Sequence, residues 1–271
     1  MLSPHGSYSE YAIGHSDTTF HIPPQVSYEE AATIPLAAMT AAIGLYQRLN
    51  LPVPWRPAQT RLPLVIYGAA SAVGAFAVKL ASLSNIHPLI CVAGRGKAFV
   101  ETLIDRSRGD TVVDYRGDVV EGLRQALGRE KLEFAFDAVT DHGSYGNLGR
   151  VLDARGKIAV VLARKVYEGI PDSVELSYTQ VGRVHSSSYP GIKGEKQLLG
   201  ALNDEDFGAV MYKFFARGLS KGWFEGHPYE VVPGGLNGIE HALQDLKGGK
   251  ASAVKYVFRI AETDSLLQSR L

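Results

Sequence analysis

The stretch Leu62-Pro63-Leu64-Val65-Ile66-Tyr67-Gly68-Ala69-Ala70-Ser71-Ala72-Val73-Gly74 runs from apolar residues into a loop of small ones. An apolar run closed by a glycine predicts a strand over Leu62–Tyr67, buried on both faces as in a parallel sheet. Gly68 allows the chain to turn sharply at its end. Ala69, Ala70, Ser71 and Ala72 are small enough for a pyrophosphate to approach the main chain. Val73 and Gly74 open a helix expected over Ala72–Ser84, and Gly74 permits close helix–strand packing. That helix start offers N–H groups and the positive end of a dipole, with the Ser71 hydroxyl beside it. The middle glycine of G-x-G-x-x-G is replaced by Ala70, so the spacing alone fits a dinucleotide loop or a ligand-free turn.

The flanks decide in favour of the dinucleotide loop. Downstream, strands are predicted at His87–Ala93, Thr111–Asp114, Glu133–Asp137 and Lys157–Leu162. Helices are predicted between them at Lys97–Ser107, Val119–Leu127 and Gly143–Leu152. This β-α alternation implies an α/β fold with a Rossmann-type, doubly wound parallel sheet. Upstream, Tyr8–Ile13 reads as a strand. Ser27 can cap a helix with Glu30 at the capping-box position, and Leu36–Leu49 has helical spacing. Residues 50–63 carry four prolines and read as a surface connection. Beyond residue 163 the alternation stops. Ser173–Gln180 and Gly182–Ser187 have strand character, and a helix is predicted over Asp204–Lys221, capped by Asp204. A short strand at Glu230–Val232, a helix at Leu236–Leu246 and a last strand at Ala253–Ile260 complete the reading.

The end of the second strand selects the cofactor. An NAD site places Asp or Glu there for the ribose 2′-hydroxyl. The sequence instead reads Cys91-Val92-Ala93-Gly94-Arg95-Gly96-Lys97. Arg95 and Lys97 suit a 2′-phosphate, so NADPH is the expected cofactor, the bland alternative being two solvated cations.

Composition closes off other classes. The 271 residues are 45% hydrophobic, enough for one large or two modest cores, and 28 basic residues balance 28 acidic ones. Neither nucleic acid nor a membrane is expected as a partner. No run of about 18 apolar residues predicts a span. No signal peptide is visible, and a cytoplasmic location is expected. The single cysteine, Cys91, reads as an inert strand residue, and no metal site is expected. His142 beside Asp141 could do acid–base work or simply start a helix. Asp204, Glu205 and Asp206 read as helix N-terminal charges. No G-x-S-x-G elbow is present.

Several motifs in order along the chain carry a family resemblance. Gly6-Ser7-Tyr8-Ser9-Glu10-Tyr11-Ala12 is similar to the strand entering the first domain of the medium-chain dehydrogenase/reductase superfamily. Glu30-Ala31-Ala32-Thr33-Ile34-Pro35-Leu36-Ala37-Ala38-Met39-Thr40-Ala41-Ala42 resembles its domain-joining helix. Val112-Val113-Asp114-Tyr115-Arg116 and Val232-Pro233-Gly234-Gly235-Leu236 also match. The pattern is closest to zinc-free quinone-oxidoreductase-like members, and among them to trans-acting enoyl reductases of fungal polyketide pathways. The resemblance implies a partial β-rich, chaperonin-10-like (GroES-like) domain beside the Rossmann domain. Residues 1–45 would be its N-terminal remnant, 46–190 the dinucleotide-binding domain and 191–271 a segment returning to the catalytic domain.

Position by position, the resemblance implies that Ala70–Val73, within the cofactor-binding loop bounded by Gly68 and Gly74, meet the pyrophosphate and Ala93–Lys97 the adenosine phosphate. Tyr115 would pack near the 2′-phosphate, unless it only caps its strand. Val161 and Leu162 would give backbone contacts to the nicotinamide, unless they are core. Ala253 and Val254 would close over the cofactor. Leu36, Met39, Thr40, Ile43, Arg183, His185, Ser186 and Ser187 would line an acyl pocket, though Thr40 could instead bond back to its own helix. The resemblance starts at Gly6, so most of the first domain is expected to be absent, including the proton-donor tyrosine of some enoyl reductases. No catalytic residue is therefore assigned. The expected activity is NADPH-dependent reduction of an enoyl thioester or quinone-like substrate, small or carrier-bound, with a synthase partner or homo-oligomer. The rival is a nucleotide-binding or interaction module without catalysis.

Overall fold

The computed structural model describes residues 6–162, 166–185 and 203–264. Two short helices, α1 (Tyr28–Ala32) and α2 (Pro35–Ala42), lead through a π-helical turn at Ile43–Arg48 toward the sheet. Then come β1 (Leu64–Tyr67), α3 (Ala72–Leu83), β2 (Leu89–Ala93), α4 (Lys97–Glu101), β3 (Thr111–Asp114), α5 (Val119–Leu127), β4 (Phe134–Asp137), α6 (Ser144–Gly149), β5 (Lys157–Val160) and β6 (Glu175–Tyr178). The chain continues with α7 (Asp204–Lys221), β7 (Tyr229–Val232), α8 (Ile239–Lys247) and β8 (Lys255–Phe258).

Strands β1–β6 form one parallel sheet in the order β3-β2-β1-β4-β5-β6. Alternate residues of each strand feed opposite cores, which is why the central strands read as unbroken apolar runs. Leu64, Ile66, Leu89, Cys91, Phe136 and Ala159 point into one core with α2, α3 and α7. Val65, Tyr67, Ile90, Val92, Ala135 and Ile158 point into the other. There α5 contributes Val119, Leu123 and Leu127, spaced four apart on one helical face. A small residue lets the π-helical turn lie close to β4: a Cβ on Gly44 would come 2.3 Å from the Phe136 ring. β7 and β8 pair in parallel as a separate two-stranded sheet beside α1. An ion pair from Arg259 to Glu29, 2.7 Å, ties the two.

Four expectations are corrected. Tyr8–Ile13 is not a strand: no described strand pairs with it, and the Ser9 hydroxyl donates to the Gly6 and Tyr11 carbonyls instead. The helix predicted over Lys97–Ser107 stops at Glu101. Asp105 then turns the chain by accepting from the Ser107 N–H at 2.9 Å, and Gly109 leaves the turn at φ +89°. Gly182–Val184 is not a strand: with Val181 it forms a 3-10 turn, wedged where a Cβ on Gly208 of α7 would come 2.7 Å from the Val184 Cβ. The cap of α7 is Asn203, whose side chain accepts from the Asp206 N–H at 2.8 Å. Asp204 is engaged elsewhere, as described below.

Candidate functional site

The glycine loop follows β1 at the C-terminal edge of the sheet. Gly68 adopts φ +76°, and the Gly68 and Ala69 N–H groups both donate to the Val92 carbonyl at 3.0 Å. Ser71 caps α3 by accepting from the Gly74 N–H at 3.1 Å. A Cβ on Gly74 would lie 2.2 Å from the Gly68 carbonyl oxygen, so helix and loop touch as the spacing predicts. Replacing Ser71 by alanine is expected to cost about 1 kcal/mol through the lost cap, measured by urea unfolding.

The alanine in the middle of the loop has a partner. A Cβ on Gly96 would come 2.4 Å from the Ala70 Cβ and 3.3 Å from that of Ala253. The loop, the end of β2 and the turn before β8 therefore converge, and glycine at 96 makes room for Ala70. Nearby, Tyr115 lies across Gly94, with a Cβ there 2.5 Å from its ring. Arg95 donates to the Gly249 carbonyl, tying this corner to the loop after α8. Lys97 is exposed at the start of α4. Arg116 holds Asp114 at 2.5 Å and, with Lys97 adding, keeps that carboxyl far below its usual range. Arg116 was missed in the sequence, although it stands beside Tyr115.

At the other end of the crevice, Val161 is half-buried and Leu162 is exposed. The Val161 N–H donates to the Thr140 hydroxyl at 3.0 Å. Thr140 is fully buried, as is Asp137, and neither was singled out in the sequence.

The residues expected to line an acyl pocket do not share one surface. Leu36 is exposed, whereas Met39 and Ile43 are fully buried in the core shared by α2, α3 and α7. The Thr40 hydroxyl donates to the Leu36 carbonyl at 2.6 Å, the back-bonding alternative. Arg183 is bound to Asp204 at 3.1 Å, and Arg48 meets the same carboxylate at 2.8 Å while donating to the Tyr178 carbonyl. His185 pairs with the Thr18 hydroxyl at 3.0 Å and stacks near His15; burial pushes its pKa down. Ser186 and Ser187 lie outside the described residues. His142 is exposed, 4.0 Å from Asp141. Cys91 is fully buried, which raises its thiol pKa. Among the described residues no three His, Cys, Asp or Glu side chains group as metal ligands, and no helix is long and apolar enough to cross a membrane.

A cleft of about 730 Å³ opens elsewhere, between α1, α3, α4 and the segment before β7, and shares no residue with the glycine loop. Its chemistry is less specific than its size. Gln25, Glu30 and Lys79 on its walls are spent on backbone groups of residues 219–226. His227, also on its wall, is 2% exposed, with neither ring nitrogen hydrogen-bonded.

No family model matches the chain. Among known proteins it is 44% identical over 241 residues to trans-enoyl reductase fsr4 of Gibberella fujikuroi, covering 87% of this chain and 67% of that protein. It is 27% identical to trans-enoyl reductase ACTTS2 of Alternaria alternata, over 94% of this chain and 71% of that one. Among solved structures it resembles the CurK enoyl reductase, with a TM-score of 0.64 at 18% identity, covering 87% of this chain and 64% of that one. An NAD-dependent alcohol dehydrogenase gives 0.67 at 19%, covering 93% and 64%. The chain thus spans just under two thirds of the length of these solved relatives. With the doubly wound sheet, the glycine loop at its edge and the identity to fsr4, the chain belongs to the trans-enoyl reductase family, oxidoreductases of the medium-chain dehydrogenase/reductase superfamily.

Proposed function

We propose that the chain binds NADPH across the C-terminal edge of the sheet and serves the reduction of an α,β-unsaturated acyl thioester in polyketide secondary metabolism. The observation that carries this reading is the pairing of the glycine loop with a cationic end of β2. A Cβ at Gly74 would collide with the loop backbone, so the loop is built for close approach. Arg95 and Lys97 follow β2 where an acid would serve NAD, and Arg116 occupies the nearby carboxylate of β3, Asp114. The residues present fit the cofactor. The first-turn N–H groups of α3 at Ala72 and Val73 would face the pyrophosphate. Arg95 and Lys97 would meet the 2′-phosphate, with Tyr115 beside them. Val161 and Leu162 would offer peptide groups to the nicotinamide, and Ala253 and Val254 would cover the site. When bound, NADPH supplies the hydride. The protein's part is to bind, orient and exclude water. The acyl group would come as a small thioester or on the carrier of a synthase partner; a homo-oligomer is compatible with the same site.

Arg95 has to exchange the Gly249 carbonyl for the phosphate, so both cations contribute to selectivity. Replacing Arg95 and Lys97 together by alanine is expected to weaken NADPH at least about 10-fold while leaving NADH within about 2-fold, the worth of one or two charge-assisted hydrogen bonds. Fluorescence titration with each cofactor reads this, and equal losses for both would refute the assignment. Enoyl-thioester-dependent loss of NADPH absorbance tests turnover. One observation favours a second reading, a nucleotide-binding module without catalysis: Met39 and Ile43, expected to face the acyl chain, are sealed in the core. Binding without turnover would support it, and failure to bind NADPH would sink both.

A further inference from the structure

The turn after β4 combines strain, burial and two key contacts. Thr140 adopts φ +57°, the one β-branched residue among the described positions with a left-handed backbone. Such a residue rarely takes that conformation, and keeping it requires surrounding structure to hold it there. Asp137 does so. Its Oδ1 accepts from the Val139 N–H at 3.0 Å and the Thr140 N–H at 2.8 Å, and its Oδ2 accepts from the Ser144 hydroxyl at 2.5 Å. The Thr140 hydroxyl then donates to the Asp137 carbonyl at 2.9 Å and accepts from the Val161 N–H at 3.0 Å. One hydroxyl thus bridges the end of β4 to the residue that follows β5.

The same turn touches the glycine loop. A Cβ on Gly68 would come 2.4 Å from Val139 Cγ2. β1 and β4 are neighbours at the point where the strand order reverses, the place where α/β sheets hold their ligands. Residues 137–140 therefore couple the phosphate side of the crevice, at Gly68, to its far side, at Val161.

We propose that Thr140 is a positioning residue for the nicotinamide end of the site: its hydroxyl holds the Val161 N–H and so fixes the course of the backbone leaving β5, against which the nicotinamide ring would rest. This rests on the NADPH reading above.

Three variants separate hydroxyl from backbone. Thr140→Gly relieves the left-handed strain and loses the hydroxyl. Thr140→Val keeps the shape and loses the hydroxyl. Thr140→Ser keeps the hydroxyl. Amide hydrogen exchange of the Val161 N–H needs no cofactor: protection is expected to fall in the Gly and Val variants and to survive in Ser. In the Gly variant, which folds without strain, NADPH affinity is expected to stay within about 2-fold, because the phosphate contacts are untouched, while kcat falls at least about 10-fold through misorientation. Hydride transfer from NADPH deuterated on one face of C4 should also lose stereospecificity, and bound NADPH emission should shift toward that of the free form. Unchanged Val161 protection in both hydroxyl-less variants would overturn the clamp. Lost protection with unchanged kcat, stereospecificity and emission would leave Thr140 a fold residue only and overturn its positioning role. A parent chain that binds no NADPH refutes the cofactor reading and this role with it, while the exchange result still reports separately on the clamp.

Discussion

Replacing Gly74 by alanine is expected to cost about 3 kcal/mol or more and to weaken NADPH binding at least about 10-fold. The added Cβ would sit 2.2 Å from the Gly68 carbonyl oxygen and 2.8 Å from the Ala69 Cα. Both are backbone atoms, so no side chain can move aside. Either α3 lifts off the sheet or the loop opens, and each disrupts the proposed phosphate cradle. Gly146 is the contrasting control. It lies within α6, and a Cβ added there would meet nothing within 4 Å, so alanine is expected to stabilise by about 0.5–1 kcal/mol through helix propensity. Urea unfolding reads both, and fluorescence titration reads the affinity. A Gly74→Ala protein within about 0.5 kcal/mol of the parent would show that helix and loop are not in the contact described.

The second large effect is a loss of stability on mild acidification, centred on His227. Burial, with Lys79 and Lys255 nearby, pushes its pKa down to about 4 from the ordinary 6.5. The depressed value means that between these two pKa values the unfolded chain binds a proton that the folded chain refuses. Stability from this group is therefore complete above pH 6.5, falls as pH drops toward 4, and changes no further below that. The total is on the order of 3 kcal/mol. His185 is shifted the same way and acts in the same direction. Neither nitrogen of His227 has a partner, while Phe99 meets the ring edge-on at 5.2 Å and Phe76 lies at 6.5 Å. Replacing His227 by leucine is thus expected to stabilise the protein by about 1–3 kcal/mol at neutral pH and to flatten the acid limb. Equilibrium unfolding at a series of pH values between 7 and 4 tests this, and an unchanged pH slope in the variant would refute it.

The proposed selection of NADPH over NADH would depend on contacts that are only partly readable in the chain. Arg95 and Lys97 stand in the sequence where an acid is missing, but the bond from Arg95 to Gly249 joins residues 154 positions apart. The family resemblance implies a pocket role for Arg183. The fold turns it, together with Arg48, onto Asp204, a carboxylate that the helix pattern had explained as a cap. Leu36 and Met39 are three positions apart on α2, yet Leu36 is exposed while packing against α3 and α7 buries Met39 wholly.

What the sequence by itself determined is the part governed by short-range rules. Apolar runs closed by glycine, helical spacing and the small residues at 68–74 specify a doubly wound sheet with a glycine loop at the edge of its first strand, because strand burial, helix faces and turns depend on residues a few positions apart. The bounds of β3, α5 and α7 match that reading to the residue. Only the tertiary structure decided which charges pair, which polar groups are sealed and which turns are strained. The Arg48–Asp204–Arg183 cluster, the unpartnered His227 and the Thr140 bridge to Val161 each depend on segments meeting across the fold. Their free energies come from burial and hydrogen-bond geometry, which no local pattern encodes.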